Sequence, residues 1–453
     1  CKKIITCCWV AFTLLAVCFG QALGEQPKTR DYWPTNGWQT STPEMQGMDI
    51  AKLSIADEFV RKRLPDAYSL LVVRNGYLVF EKYYAKGHPD RYAVVHSVTK
   101  SVMATLIGIA LEKGYLKNVD QQIADYLPTY FTDEMDPRKK EITIEHLLTM
   151  SAGFKWDDWG PELYDFIWSE NPAGYAINRA QVNDPGTVFN YNSSISHLLS
   201  VILTKASDTN TFAFADQYLF KPLGIRHRAW NRDIQGFYYG GFGLALSARD
   251  LAKIGFLYVN NGYWDNRSIV PEAWVKASTR HQIQARAHPI YGWFAYGYQW
   301  WVKEVDGLSS YRAWGRRGQF IVVVPKLDLV IAVTSDPDQP HPPTSIHYTP
   351  LFELVAAAVK RERAPKKPLV AMALPPDVKA FITDYNQARY HLDILKMSEM
   401  ISDRFLFRGV TKELAVKFLS CLLYTSDAAD DNRGVGVGGG GGGWGGGGGG
   451  GGG

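Results

Sequence analysis

The chain has 453 residues, of which 46% are hydrophobic, and its 49 Lys and Arg residues nearly balance its 45 Asp and Glu residues. This length and apolar share are enough for a large buried core arranged in one or two domains. The small net charge of +4 and the lack of a long basic run argue against a nucleic-acid-binding function.

The first 24 residues have the pattern of a signal peptide. Two lysines precede an apolar run at residues 4–19, and the small residues Ala22 and Gly24 supply a cleavage site. We therefore expect a secreted or periplasmic protein with no membrane association beyond this segment. Two weaker alternatives are a transmembrane anchor, for which the run is short, and lipid attachment at Cys18.

The cysteines are confined to the two ends of the chain. Four of the five, Cys1, Cys7, Cys8 and Cys18, lie in the signal segment, and Cys421 lies in the tail. The mature domain is therefore expected to have no disulfide, no cysteine-based metal site and no cysteine nucleophile.

Composition divides the rest of the chain into a main domain and a C-terminal part. Residues 25–48 form a loop rich in Pro, Gly and Trp, and residues 49–362 form the main domain. A Pro- and Lys-rich linker at residues 363–376 precedes a truncated α+β segment at residues 377–420. Residues 421–453 end in an almost pure glycine run, which cannot form a core, and we interpret them as an artefact.

Within the main domain, strand patterns lie at both ends and helical patterns lie between them. A helical spacing at 49–64 is followed by two apolar runs around Asn75-Gly76, the strongest short signal for a hairpin. A helix that ends at Gly114 comes next, then helices and loops over 115–290, then strands and a last helix. We predict an α+β fold (an α/β sandwich). Its antiparallel sheet is built from N- and C-terminal segments, is flanked by helices and carries an inserted, mostly helical subdomain.

The helix that ends at Gly114 begins with a Ser-x-x-Lys sequence, Ser97 to Lys100. Ser97 could simply cap the helix, but a capping box would have Glu or Gln in place of Lys100. A cation in the first turn opposes the helix dipole, and the apolar sequence after it predicts burial, so both effects lower the lysine pKa. A neutral Lys100 one turn from Ser97 would be a base beside a nucleophile.

A tyrosine at the start of a second apolar helix strengthens this interpretation. Tyr-Asn-Ser at residues 191–193 follows a Pro-Gly turn. With Ser-x-x-Lys before it, the chain resembles the serine β-lactamase and penicillin-binding-protein superfamily. The resemblance implies catalytic roles for Ser97, Lys100 and Tyr191, and a supporting role for Ser193.

The third element of the resemblance is Trp314-Gly315. Relatives carry Lys- or His-Thr-Gly on this strand or, in the esterase and amidase branch, a Trp-Gly or His-Gly variant. Gly315 would let a substrate approach the strand edge closely and thus support the site. The resemblance implies an oxyanion hole made from the backbone N–H groups of Ser97 and Arg316. Because the Lys-Thr pair is replaced, efficient β-lactam hydrolysis is disfavoured.

The loop at residues 154–168 is rich in aromatic and acidic residues and is a candidate wall of the site. Candidate substrate-binding residues from this loop and from the strand end are Trp156, Asp158, Tyr164, Trp314 and Arg317. Asp157, Asp158 and Asp165 could meet a cationic substrate end, as in the 6-aminohexanoate-dimer hydrolase branch that the chain resembles. An ordinary surface loop with aromatic anchors is the alternative.

Competing patterns are weaker. A second Tyr-x-Asn at residues 258–260 lies late in an amphipathic helix, where core packing explains Tyr258 better. No Gly-x-Ser-x-Gly sequence is present, which disfavours an α/β-hydrolase. The histidines lack metal-ligand spacing, and we interpret His96 and His197 as packing or hydrogen-bonding residues. We expect no metal and no cofactor.

Together these patterns predict an exported serine hydrolase that acts on a carboxylic ester or small amide through an acyl-enzyme. That small molecule is its expected partner, and the sequence leaves its oligomeric state open. A D-amino-acid peptidase or a weak β-lactamase is the alternative within the family. A catalytically silent binding or scaffold protein of the same fold is the alternative from another class, and the intact set of Ser97, Lys100 and Tyr191 argues against it.

Overall fold

The computed structural model describes residues 30–226, 228–288, 292–338 and 348–361. All of these residues belong to the first of two compact units of the chain, Cys1–Glu362. The predicted signal peptide and the linker, C-terminal segment and tail predicted after residue 362 lie outside the described residues. Within the described ranges, no helix is long and apolar enough to cross a membrane.

The helices of the described residues are numbered in chain order. They are α1 (Ile50–Arg63), α2 (Val98–Glu112), α3 (Ile144–Leu148), α4 (Pro161–Trp168), α5 (Pro172–Ile177), α6 (Ser193–Ser207), α7 (Thr211–Ala215), α8 (Ala248–Val259), α9 (Glu272–Ser278) and α10 (Tyr348–Ala357). Helices α1 and α6 begin at side-chain caps, because Asp49 and Asn192 each accept hydrogen bonds from two N–H groups of the first turn.

The strands are numbered in the same way. They are β1 (Ala67–Arg74), β2 (Tyr77–Tyr83), β3 (Tyr92–Val94), β4 (Ala229–Trp230), β5 (Leu244–Ser247), β6 (Tyr263–Trp264), β7 (Arg267–Ser268), β8 (Ile283–His288), β9 (Gly292–Tyr296), β10 (Trp301–Val302), β11 (Tyr311–Gly315), β12 (Gln319–Val324) and β13 (Leu329–Ser335). In the described residues, eight strands form one sheet in the order β2-β1-β13-β12-β11-β10-β9-β8. A small sheet has the order β3-β5-β4, and β6 pairs with β7.

Strands from opposite ends of the domain pair with each other inside the large sheet. Strand β1 runs antiparallel to β13, with Leu71 opposite Ala332. Strands β1 and β2 form a hairpin whose turn residues Asn75 and Gly76 have φ angles of 53° and 92°. Positive φ at both positions gives a twist that matches the flanking strands. The predicted hairpin and the antiparallel sheet built from distant segments are therefore confirmed.

Both faces of this sheet are covered. In β12, Ile321 and Val323 pack into a core with α2, α6 and α8, whereas Phe320, Val322 and Val324 pack into a second core with α1 and α10. Side chains alternate between the two faces of a strand, so a strand covered on both faces is apolar throughout. This explains why the sequence of β12 is a continuous hydrophobic run.

Helix α2 is the central helix of the first core. Its residues 98–110 are all buried, which is why its sequence has apolar residues on every side. In this core it packs with α6 and α8 and against the strands β11 and β12. The starts of α2 and α6 and the end of β11 therefore meet at one edge of the domain, where the candidate site lies.

Candidate active site

Ser97 occupies the N-cap position of α2, yet its side chain makes no capping hydrogen bond. His96 before it has a φ of 47°, a left-handed conformation that few non-glycine residues adopt. Ser97 Oγ accepts a hydrogen bond of 3.1 Å from Lys100 Nζ, and the side chain faces a cavity. The capping alternative is therefore wrong, and the hydroxyl is exposed to any molecule that enters the cavity.

Lys100 is almost completely buried, with 1% of its surface exposed. Besides its bond to Ser97, Nζ donates to Ser193 Oγ at 2.8 Å and to the carbonyl oxygen of Gly241 at 2.8 Å. Burial lowers the pKa of Lys100 to about 8, and the negative charge of Asp158 opposes part of this shift. A neutral amine is thus accessible close to neutral pH.

Tyr191 brings a second titratable group to Ser97. Its ring stacks on Trp301 with centroids 5.6 Å apart, and Lys100 Nζ lies 4.8 Å from its centroid. Burial raises the pKa of Tyr191 far above its usual value, the charge of Asp158 raises it further, and a hydrogen bond with Ser97 lowers it in part. The phenol therefore stays protonated near neutral pH, and it lines the same cavity as Ser97.

The end of β11 lies beside the start of α2. A Cβ on Gly315 would lie 2.2 Å from the carbonyl oxygen of Val95, so this approach requires glycine. Ser97 and Arg316 both line the cavity, and neither of their N–H groups has a backbone acceptor in the turns and loops of the described residues. This arrangement is consistent with the predicted oxyanion hole. The Arg316 guanidinium lies 5.5 Å from the ring centroid of Trp159, another cavity residue.

The cavity in front of Ser97 has a volume of about 350 Å³. Most of its apolar wall is formed by Trp159, Leu163, Tyr164, Ile167, Phe242 and Trp314. Two of the sequence candidates, Tyr164 and Trp314, are thus on the wall. Leu163 and Ile167 were not anticipated, although their i, i+4 spacing in α4 places them on one helix face and could have identified them.

Asp158 lines the cavity, but its carboxylate is already engaged by the protein. Oδ1 accepts hydrogen bonds from Trp156 Nε1 at 2.8 Å and from the backbone N–H of Ser193 at 2.7 Å. Oδ2 accepts from Ser193 Oγ at 2.8 Å. Both oxygens of Asp158 therefore hold the start of α6, and a contact between this carboxylate and a cationic substrate end stays a prediction.

Two further candidates do not face the cavity. Trp156 is 6% exposed, packs edge-on against Phe166 and donates to Asp158, so it anchors the loop. The Arg317 guanidinium donates to the carbonyl of Pro337, which His96 also contacts. Neither residue is among those that line the cavity, so the structure does not bring these two candidates to the site.

Gly241 is a site residue that the sequence did not reveal. A Cβ on Gly240 would lie 2.0 Å from the carbonyl oxygen of Ser196, and a Cβ on Gly241 would lie 2.6 Å from that of Ser193. The paired glycines therefore allow this segment to press against α6, which brings the Gly241 carbonyl to Lys100. The Gly-Gly pair was the signal that the sequence offered for this segment.

Tyr258, His197 and His96, which belong to the weaker sequence patterns, each have a hydrogen-bond partner in the protein. Tyr258 is fully buried, and its hydroxyl hydrogen-bonds Thr105 Oγ1 at 2.8 Å. His197 lies 3.0 Å from a carboxylate oxygen of Asp233 inside the core. His96 contacts the Pro337 carbonyl through Nε2 at 3.2 Å, and it also lines the cavity. No cluster of three His, Cys, Asp or Glu residues that could hold a metal occurs in the described part of the chain.

Comparison with known proteins identifies related sequences. The family model described as Beta-lactamase matches residues 55–355 of the chain. The 6-aminohexanoate-dimer hydrolase of Paenarthrobacter ureafaciens is 24% identical over 326 residues, which are 64% of this chain and 78% of that protein. A putative D-alanyl-D-alanine carboxypeptidase of Escherichia coli (strain K12) is 24% identical over 224 residues, 44% of this chain, and the match spans about half of that protein, 51%.

A solved structure also resembles this chain. It is a putative 6-aminohexanoate-dimer hydrolase from Bacillus anthracis, which matches with a TM-score of 0.57 at 17% sequence identity. The match covers 72% of this chain and 88% of that one. At this level of identity the likeness concerns the fold alone, and it confirms the predicted α+β fold class.

Proposed function

The chain belongs to the β-lactamase family, and we propose that it is a serine hydrolase that cleaves a carboxylic ester or a small amide through an acyl-enzyme on Ser97. The observation that carries this proposal is the 3.1 Å contact between Ser97 Oγ and the buried amine of Lys100. The relatives support the reaction type, because their names describe an amide hydrolase and a carboxypeptidase. Both reactions transfer an acyl group to water, and a nucleophilic serine can hold that acyl group as a covalent intermediate.

The first step forms the acyl-enzyme. Neutral Lys100 accepts the proton of Ser97 Oγ as this oxygen bonds to the substrate carbonyl carbon. The carbonyl oxygen becomes an oxyanion, which the N–H groups of Ser97 and Arg316 stabilise. The tetrahedral intermediate then breaks the bond to the leaving group. The proton held by Lys100 passes through the Tyr191 hydroxyl to the leaving alkoxide or amine.

The second step releases the acid. A water molecule enters after the leaving group departs, and it attacks the acyl carbon while the Tyr191 and Lys100 pair accepts its proton. The bond from the acyl carbon to Ser97 Oγ breaks, and Oγ regains a proton from the same pair. Tyr191 suits this relay as a protonated phenol, because its raised pKa keeps the phenolate from accumulating near neutral pH.

The cavity wall supports an acyl group that is uncharged and apolar. Leu163, Ile167 and Phe242 offer only hydrocarbon surface, and burial of such surface stabilises binding by about 25 cal/mol per Å². Asp158 is the acidic residue of this wall, and its hydrogen bonds with Ser193 and Trp156 make it a weaker partner for an ammonium group than a free carboxylate would be. We therefore favour an aliphatic or aromatic acyl donor over a zwitterionic oligomer.

A peptidase that acts on a substrate with a free carboxylate is the second candidate. Arg316 favours it, since this residue lines the cavity and carries a cation that can pair with a carboxylate. The name of the Escherichia coli relative points to the same substrate type. The Trp314-Gly315 pair in place of a Lys-Thr pair still disfavours efficient β-lactam hydrolysis.

Labelling with a fluorophosphonate tests the proposal. We expect the wild-type protein to form a covalent adduct on the peptide that contains Ser97, and the Ser97→Ala variant to form none. Ser54→Ala is the matched control, because the Ser54 hydroxyl donates to the Ile50 carbonyl on the solvent-exposed side of α1, outside the cavity wall. Labelling and short-chain ester hydrolysis should both survive in that control. A folded wild-type protein without labelling or hydrolysis would instead support the silent scaffold alternative.

A further inference from the structure

We infer that Asp158 is a positioning residue that, through the hydroxyl of Ser193, directs the lone pair of neutral Lys100 at Ser97. This inference rests on the proposed function and assigns a directing role to a residue that does not touch the reacting atoms. It is a different role from the substrate-binding one that the sequence suggested for Asp158.

The hydroxyl of Ser193 has a fixed direction. A carboxylate accepts hydrogen bonds and has none to donate. Oδ2 of Asp158 lies 2.8 Å from Ser193 Oγ, so the single hydroxyl proton points at Asp158. The backbone N–H of Ser193 donates to Oδ1 of the same carboxylate at 2.7 Å. This second bond fixes the position of the carboxylate relative to the Ser193 side chain. Ser193 Oγ can therefore only accept from Lys100.

The remaining partners of Lys100 then fix the orientation of its amine. Among the described residues Nζ has three partners, namely Ser193 Oγ and the Gly241 carbonyl at 2.8 Å each and Ser97 Oγ at 3.1 Å. Toward Lys100, Ser193 Oγ and the Gly241 carbonyl oxygen can only accept, so together they use both N–H groups of a neutral amine. The fourth tetrahedral position, which is the lone pair, is left for Ser97. Deprotonation of Lys100 thus creates a base already aimed at the nucleophile.

Without the Asp158 carboxylate, the Ser193 hydroxyl proton would no longer be fixed in one direction. The Ser193 hydroxyl could then donate to the Lys100 lone pair, which would compete with the Ser97 hydroxyl for the same electrons. The charge of Asp158 also opposes the effect of burial on the pKa of Lys100, so its removal should lower that pKa further. Other titratable or charged groups around this amine and its cavity are His96, Tyr191, Tyr296 and Arg316, and an Asp158 substitution leaves all four in place.

The test compares Asp158→Asn with Asp157→Asn in the full chain. We measure kcat/KM for an uncharged p-nitrophenyl ester against pH. Asp158→Asn should lower the alkaline plateau roughly ten- to hundredfold, as expected for a lost hydrogen bond to a charged group, and should move the acidic limb to lower pH. Asp157 is the control, since its carboxylate only receives the Trp159 N–H at 2.9 Å on an exposed loop. Its variant should overlay the wild-type profile.

A double-mutant cycle distinguishes whether Asp158 acts through the Ser193 hydroxyl or only stabilises the local structure. In a Ser193→Ala background there is no hydroxyl to direct, so Asp158→Asn should no longer lower the plateau. An undiminished plateau loss in that background overturns the inference, as does an unshifted acidic limb. A rise in KM alone at constant kcat would mean that Asp158 binds substrate, and it also overturns the inference. Failure of the wild-type protein to label at Ser97 would be the separate failure of the proposed function.

Discussion

Replacing Lys100 with arginine is expected to lower kcat/KM for an ester roughly a hundred- to ten-thousandfold, about as much as replacing it with alanine. Arginine keeps the positive charge, but its guanidinium does not deprotonate at any pH the protein tolerates. If Lys100 acts as a base, a residue that keeps the positive charge but cannot accept a proton from Ser97 does not restore activity. Steady-state kinetics on a p-nitrophenyl ester measure both variants directly.

Lys253 offers a matched control for this substitution. It is also a buried helical lysine, it is 5% exposed, its Nζ donates to the Gly224 carbonyl at 2.9 Å, and burial lowers its pKa. It does not line the cavity, so Lys253→Arg should leave kcat/KM within a fewfold of the wild type. Near-normal activity of Lys100→Arg would mean that Lys100 is only an electrostatic support, and the base would have to be another group.

Replacing Tyr191 with phenylalanine should separate amides from activated esters. We expect hydrolysis of an anilide to fall roughly a hundredfold or more, and hydrolysis of the matching p-nitrophenyl ester to fall much less. An amine must be protonated as it leaves, whereas p-nitrophenolate leaves without a proton. The phenylalanine ring keeps the stack on Trp301 and the face toward Lys100, so only the hydroxyl is tested.

The control for Tyr191 is the second tyrosine with the same motif spacing. Tyr258→Phe removes a hydroxyl that is buried in the core, where it hydrogen-bonds Thr105 Oγ1. It should change stability but leave the ratio of anilide to ester rates unchanged. An equal loss of both substrates in Tyr191→Phe would contradict the proton-delivery role and would assign Tyr191 to orientation of Lys100 and Ser97.

The local parts of this structure could be predicted from the sequence. Asn75-Gly76 determines its own turn, because few other residue pairs accept positive φ at both positions. Ser97 and Lys100 are one helical turn apart, so their contact follows from helix geometry once α2 is assigned. The order of the motifs then placed Tyr191 and the end of β11 at the same site.

Contacts between distant segments could not be predicted in the same way. Asp158 holds Ser193 across 35 positions and Gly241 reaches Lys100 across 141, and neither pairing follows from any periodicity. The small β3-β5-β4 sheet was missed because its strands are too short to display an alternating pattern. The sequence also could not show that Trp156 and Arg317 are absent from the cavity wall, because an aromatic or a cation near a motif gives no information about which way its side chain points.

The pH dependence of Ser97 labelling tests the central claim most directly. The pKa of Lys100 is lowered from 10.5 to about 8, and the neutral form is the base. The rate constant for fluorophosphonate labelling of Ser97 should therefore rise with pH, reach half its limit near pH 8 and stay constant above it. A rate constant that is the same from about pH 6 to about pH 10, or that rises only near the pKa of an ordinary lysine, would contradict the account.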